Sequence, residues 1–360
     1  MGFFFHTGPK TIAVLDIASG SVGGALVIVP EKGLPIFLHS IRVPIQQGDD
    51  SLRGLVRALD DIVYTFTHLS PELRRAVGHG RVSEVRVVFH APWQNTEVST
   101  KTLEDEKPFL ITNEVLAKLQ GPEGKETLHS HTIMSAMLNG YLVRQPLGKK
   151  VSKATFSLLS SDMEKEVLQK IRQVIRKIAP VYSFSSYTTI LPQALTKLVP
   201  EQREYLLVTV TEEETTLTTV RQGGLTDVRT VPLGTQSFTR AARTGGLTTF
   251  SSTGTLIDTT RNTRLDTAMK SAQDTWLTAL KEALGKTGAL PSTVFLLASP
   301  EARDFVKRVM EKDVLSSLWI SGNMRIVPLV AAPLSKRLVF EPSPDLDVML
   351  GYVVVGALEG

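Results

Sequence analysis

The stretch TIAVLDIASGSVGGALVIV, Thr11 to Val29, decides how the rest of the chain is read. Aliphatic and β-branched residues flank a small polar turn, the pattern of two buried strands joined as a hairpin. One carboxylate, Asp16, stands at the lip of that turn. The same residues support two readings. In a plain hairpin the Ser/Gly turn only reverses the chain. In a phosphate-holding turn, Gly20, Gly23 and Gly24 allow close backbone approach, Ser19 and Ser21 supply donors, and Asp16 holds a metal-bound water. The stretch is not a Walker motif, because no Gly-Lys-Ser/Thr follows and the turn leads into a strand rather than a helix.

Outward from the hairpin, PIFLHSIRVP predicts a third strand. Leu52, Leu55, Val56, Leu59, Ile62, Val63 and Phe66 keep helical spacing, with Asp50 or Ser51 as the cap. EVRVVFHAP is a further strand, FLITNEVLAKLQ a short helix capped by Thr112, KATFSLLSS a strand, and Met163 to Ile178 an amphipathic helix. From Tyr205 the pattern starts again. EYLLVTVTEEETTLTTVRQGGLTDVRTVPLG gives strand, polar turn, strand, Gly turn and strand, ending in Val231-Pro232 as the first meander ended in Val43-Pro44. Thr209 stands where Asp16 stood. This internal duplication predicts two similar α/β lobes facing a cleft. A helix from Leu265 to Leu284 stopped by Gly285, the strand STVFLLAS, the helix PEARDFVKRVM with Ser299 as cap, the strand MRIVPLV and a terminal apolar helix complete the chain. The expected divisions are an N-terminal segment 1–10, a first lobe 11–91 continued at 161–200, an inserted small α/β subdomain 92–160, a second lobe 201–335 with a Thr-rich loop 244–263, and a segment 336–360 returning to the first lobe.

Composition narrows the function classes. With 42% hydrophobic residues the chain can bury substantial cores. Its 40 basic and 36 acidic residues are interspersed, which argues against a nucleic-acid binder. The absence of cysteine excludes disulfides, thiolate metal sites and cysteine nucleophiles. The opening MGFFFHTGPK lacks the basic region and apolar length of a signal peptide, so a cytoplasmic chain is expected; His6 spoils a myristoylation motif at Gly2.

The ordered segments LDIASGSVGGALV, VRVVFHAPWQNTEV with LITNEVLAKL, LNGYLVRQPLGKKVSKATFSLLS and LVTVTEEETTLTTVRQGGLTDVRTVPLGTQSFTRAA resemble the actin-like ATPase superfamily over nearly the full chain. Within it they look like the FtsA/PilM group of cell-division and type IV pilus assembly proteins. The resemblance implies an α/β, actin-like fold of two duplicated lobes around a cleft, with a small α/β insert in the first lobe. It also implies that Asp16, Ser19, Gly20, Ser21, Thr215 and Gly234 would face ATP and Mg²⁺ if nucleotide binds. The implied partner is the cytoplasmic tail of a membrane protein, at the inner face of the cytoplasmic membrane, with self-association as a further option.

Several residues depart from the family pattern. Thr209 and Thr211 stand where ATP-hydrolysing members usually have Asp and Gly, and Glu212, Glu213 and Glu214 put like charges where phosphate would sit. By itself that run reads as a solvated acidic hairpin tip. Ser299-Pro300 replaces a Gly-Gly at the nucleoside position, and Pro adds bulk and removes a donor. The expectation is therefore a scaffold with weak or lost nucleotide binding, no catalytic residues, no required cofactor and no small-molecule substrate. The alternative is a Mg-ATP-binding ATPase that polymerises or switches. The pilus side is favoured because VMLGYVVVGALEG is short, apolar and without Lys or Arg, unlike an amphipathic membrane helix.

Other constellations are weaker. His129 and His131 share a strand face without a third metal ligand, and no Gly-x-Ser-x-Gly elbow is present. Trp93 reads as core packing or as an interface anchor within the insert, alongside Phe109 to Leu119. Phe3, Phe4 and Phe5 form an aromatic cluster that must dock somewhere to leave water.

Overall fold

The computed structural model describes residues 8–46, 51–78, 80–120, 130–143, 145–246, 263–285, 287, 289–311, 324–341 and 347–359. Phe3 to Phe5, His129 and most of the Thr-rich loop lie outside these described residues. The chain divides into two compact units: Met1–Gln94 with Met163–Pro200 and Val330–Gly360, and Asn95–Asp162 with Glu201–Leu329.

The first unit is built on a sheet of β1 (Lys10–Ile17), β2 (Ser21–Val29), β3 (Ile36–Pro44), β4 (Glu84–Phe89), β9 (Tyr182–Ser186) and β15 (Val339–Phe340), in the order β15-β3-β2-β1-β4-β9. β1, β2 and β3 form an antiparallel meander, and β4 and β9 add in parallel. The near-continuous aliphatic runs of β1 and β2 follow from their place inside the sheet, where both faces are covered. Helix α1 (Ser51–His68) turns Leu55, Ala58, Leu59, Ile62 and Phe66 inward, the stripe its spacing predicts. Gly24 makes room for it: a Cβ there would stand 2.8 Å from Ile62 and 2.9 Å from Phe66. α2 (Ser70–Val77) ends at Gly78 in the left-handed conformation. α4 (Lys165–Ile175) buries Val167, Leu168, Ile171, Val174 and Ile175.

The last helix of this unit, α9 (Val348–Glu359), is apolar all round because it is buried, packing on α5 (Tyr187–Leu198) and touching β1, β2 and β4. Asp347 starts it, with Oδ1 accepting the Leu350 N–H at 2.9 Å. The Arg86 guanidinium donates to the Ala357 carbonyl in its last turn. Among the described residues no helix is long and apolar enough to cross a membrane.

In the second unit β10 (Tyr205–Val210), β11 (Thr215–Arg221), β12 (Gly224–Val231), β13 (Thr293–Ala298) and β14 (Arg325–Pro328) run in the order β12-β11-β10-β13-β14. An antiparallel meander is again extended by two parallel strands, so the duplicated pattern of the sequence is present as a repeated topology. α6 (Thr235–Thr244), α7 (Thr263–Leu284) and α8 (Pro300–Met310) supply Phe238, Trp276, Leu280, Val306 and Met310 to its core. Phe238 meets Trp276 and Phe305 edge-on, with centroids 5.7 and 5.0 Å apart. Ser299 precedes α8 as its N-cap without a side-chain capping bond, and Pro300 opens the helix.

Residues 95–162 form a separate antiparallel sheet of β5 (Asn95–Leu110), β6 (Ser130–Leu138), β7 (Tyr141–Val143) and β8 (Lys150–Asp162), in the order β5-β8-β6-β7. α3 (Asn113–Gln120), with Thr112 Oγ1 accepting the Val115 N–H at 3.3 Å, joins a core around Ile111, Leu119, Phe156 and Leu158. This segment interrupts the first lobe in the chain, yet its packing is on the second. Val98, Met134 and Leu159 pack with Leu225 and Val228 of β12, and a Cβ on Gly224 would stand 2.8 Å from that of Ser135.

A Cβ on Gly356 would collide with the Ile190 carbonyl of α5. Gly356→Ala is therefore expected to push α9 off α5 and destabilise the protein by about 1–3 kcal/mol, read as a lower urea midpoint.

Candidate functional site

Strand register builds the site at the first hairpin. Asp16 of β1 lies opposite Gly23 of β2, which lies opposite Arg42 of β3, so the three form one row across the sheet. Two strand spacings, about 9–10 Å, separate the outer members, within reach of an arginine side chain if nothing stands between. Gly23 leaves that corridor open, since a Cβ there would be 2.8 Å from Arg42 Nη2. Arg42 lies across it, with Nη2 on Asp16 Oδ2 at 2.8 Å, Nη1 on Ser21 Oγ at 3.1 Å, and Nε on Asp347 Oδ2 at 2.6 Å.

The other Asp16 oxygen, Oδ1, is 2.6 Å from Nε2 of His90, the residue just past β4. Asp16 is fully buried. Burial alone would raise its pKa, but His90 and then Arg42 outweigh it and hold the carboxyl at about 2. An ionised carboxylate only accepts, so Nε2 of His90 carries the proton. The imidazole stacks on Tyr187, with centroids 3.6 Å apart. For Arg42, burial opposes the charge, but Asp347 and Asp16 together raise its pKa above the ordinary arginine value. Trp93 braces the turn from below, donating Nε1–H to the Ala18 carbonyl at 2.8 Å.

Of the residues expected to face nucleotide, Asp16, Ser19, Gly20 and Ser21 are together on this hairpin. The Gly20 carbonyl accepts the Ile45 N–H at 2.8 Å, and Ser21 is buried beside Arg42. Thr215 and Gly234 belong to the second unit. Thr215 is a core residue whose hydroxyl donates to Leu233 O at 2.7 Å and accepts the Trp276 indole N–H at 3.0 Å. Gly234 is required by packing: a Cβ there would collide with the Thr211 and Glu212 carbonyls. Those carbonyls accept the Thr235 and Gln236 N–H groups of the first turn of α6, at 3.0 and 2.7 Å. Both Asp16 oxygens are engaged, a guanidinium covers Gly23, and helix donors of the kind that could face a phosphate are spent on backbone oxygen.

Two expectations are corrected. The acidic turn is not uniformly solvated: Glu213 meets Arg240 at 2.6 Å, and Glu214 is 4% exposed with Oε1 lacking a hydrogen-bond partner among the described residues. Burial, with Glu212 adding to it, raises the Glu214 carboxyl to about 8. Trp93 is not an interface anchor on the insert, because its ring is buried and its N–H is committed to the turn of the first unit. Sequence reasoning missed Arg42, His90 and Asp347. The meander's pairing register could have found Arg42, and the position before the terminal apolar run could have marked Asp347 as a cap.

No family model and no curated protein matches the sequence. Among solved structures, a PilM-PilN type IV pilus biogenesis complex aligns over 97% of this chain and 98% of that chain, at 14% identity and a TM-score of 0.61. A Bacteroides thetaiotaomicron protein described as having an actin-like ATPase fold and unknown function aligns over 98% and 99%, at 9% identity and a TM-score of 0.42. EutJ from Carboxydothermus hydrogenoformans aligns over 98% and 90%, at 10% and 0.43. The chain has the actin-like ATPase fold and resembles PilM.

The two perturbed carboxyls predict opposite pH responses. Asp16 titrates lower folded than unfolded, so its contribution is complete above about pH 4 and is lost as pH falls toward 2; on the order of 2 kcal/mol is involved. Glu214 titrates higher folded than unfolded, so stability declines from about pH 4.5 to 8 as only the unfolded chain releases the proton. Glu214→Gln should remove that decline and gain on the order of 2–4 kcal/mol at pH 8, measured by urea unfolding across pH.

Proposed function

We propose that this chain is a PilM-like scaffold that captures the cytoplasmic tail of a membrane protein at the inner face of the cytoplasmic membrane, in pilus assembly, without using nucleotide. The observation that carries the reading is Arg42. A side chain of the protein itself occupies the corridor over Gly23 and neutralises Asp16, so the hairpin is complete as it stands. The overall likeness to a PilM-PilN complex supports the choice of partner class.

Binding is proposed on residues 95–162 rather than at the hairpins. Among the described residues, Leu110, Met137, Tyr141 and Leu147 of this segment are exposed large apolar side chains, with Tyr141 at 77%. Ring and aliphatic groups left in water at that level suit an extended tail whose side chains enter shallow apolar depressions.

Two measurements test the reading. Millimolar Mg-ATP should leave the melting temperature unchanged, whereas a ligand at a hundred times its Kd would add about 2.7 kcal/mol. Synthetic peptides copying the cytoplasmic tails of single-span membrane proteins of the same organism should include one that binds by fluorescence anisotropy. Tyr141→Asp with Leu110→Asp should weaken it at least tenfold with unaltered melting. Saturable stabilisation by ATP, lost on Asp16→Asn, would support the ATPase alternative instead.

A further inference from the structure

Arg42 is surrounded by oxygen. Its guanidinium meets a carboxylate of the hairpin, Asp16, a hydroxyl of the same hairpin, Ser21, and a carboxylate at the start of α9, Asp347, at 2.8, 3.1 and 2.6 Å. Two carboxylates and a hydroxyl converging on one point are a donor set for a hard cation, which takes oxygen ligands. Asp16 is wholly buried and the Asp347 side chain is 17% exposed, so their charges repel in a medium that screens poorly. His90 stabilises the Asp16 carboxylate from its other oxygen but does not reach between the two acids, where Arg42 lies. Among the described residues no group of three or more His, Asp or Glu is arranged to hold a metal.

We propose that Arg42 is a tethered cation. Its guanidinium fills a three-oxygen cation site formed by Asp16, Asp347 and Ser21, and supplies permanently the positive charge that a divalent metal ion would otherwise bring. Gly23 leaves room for this occupant, since a Cβ there would stand 2.8 Å from Arg42 Nη2. Because the cation is covalently attached, the site is filled at every metal concentration, and the hairpin and the α9 cap stay joined without a ligand. The inference rests on the scaffold reading in that it explains how such a protein dispenses with a bound metal.

The test is to remove the tether and offer a free cation. Wild-type protein should melt at the same temperature with and without millimolar Mn²⁺. Arg42→Ser should melt lower, Mn²⁺ should raise its melting temperature saturably, and electron paramagnetic resonance should report bound Mn²⁺. Adding Asp16→Asn to Arg42→Ser should abolish both effects. Should Arg42→Ser prove too unstable to purify, Arg42→Ala, which leaves the three oxygens equally uncovered, takes its place with the same expected outcomes. A folded Arg42 variant that ignores Mn²⁺ overturns the proposal, as does wild-type protein that binds Mn²⁺ through Asp16. Tail binding by the same variants separates the two readings: a variant that ignores Mn²⁺ but still binds the tail rejects the tethered cation alone.

Discussion

Everything around the first hairpin depends on burying the charge of Asp16. A carboxylate with no exposure in the middle of a six-stranded sheet is tolerable only if both oxygens are matched, and removing one partner of such a pair typically costs about 3–5 kcal/mol. Here the match comes from three separated parts of the chain: β3 supplies Arg42, the end of β4 supplies His90, and α9 joins through Asp347, which shares the guanidinium. The ion pairs therefore do more than balance charge. They fix the seat of a helix that has no polar face of its own and that packs by close contact at Gly351 and Gly356.

The second meander shows what the same topology becomes without that charge. Its row corresponding to Asp16, Gly23 and Arg42 is Thr209, Thr216 and Thr230, by the same pairing register. The turn closes identically, with Thr211 N–H on Glu214 O as Ala18 N–H is on Ser21 O. Thr suits a half-buried pleated surface and carries one small donor, so this lobe needs no guanidinium. It is held instead by an aromatic core and by the Trp276 indole on Thr215. Ser21, which touches Arg42, corresponds to Glu214, a buried acid that copes with burial by keeping its proton.

The architecture was legible because it is periodic. Alternation and helical spacing placed the two meanders, α1, α4 and α7, and repetition of the meander announced the duplicated lobes. Asp16 was legible as the one carboxylate in an apolar run. Its partners were not, because Arg42 is 26 residues away and Asp347 is 305 from Arg42, and no local pattern marks an ion pair across a sheet. Gly23 could not point to Arg42, because a glycine kept clear for a phosphate and one kept clear for a guanidinium look alike in sequence. The packing of residues 95–162 on β12 was also hidden, since a strand face that meets another sheet carries the same alternation as one that meets solvent.

The acidic turn shows how charge counted along a sequence overstates charge felt in a fold. Three consecutive glutamates suggest a threefold negative tip that repels polyphosphate. In the structure Glu213 is paired with Arg240 and Glu214 keeps its proton below about pH 8, so the turn carries less negative charge than its three glutamates suggest. The backbone of this turn is engaged as well. The first N–H groups of α6, the natural donors to a phosphate at a helix start, point at the Thr211 and Glu212 carbonyls, and Gly234 permits an approach too close for anything to enter between. The two hairpins thus differ in what lies against them, one having a side chain laid over a glycine and the other a helix terminus drawn onto the turn itself.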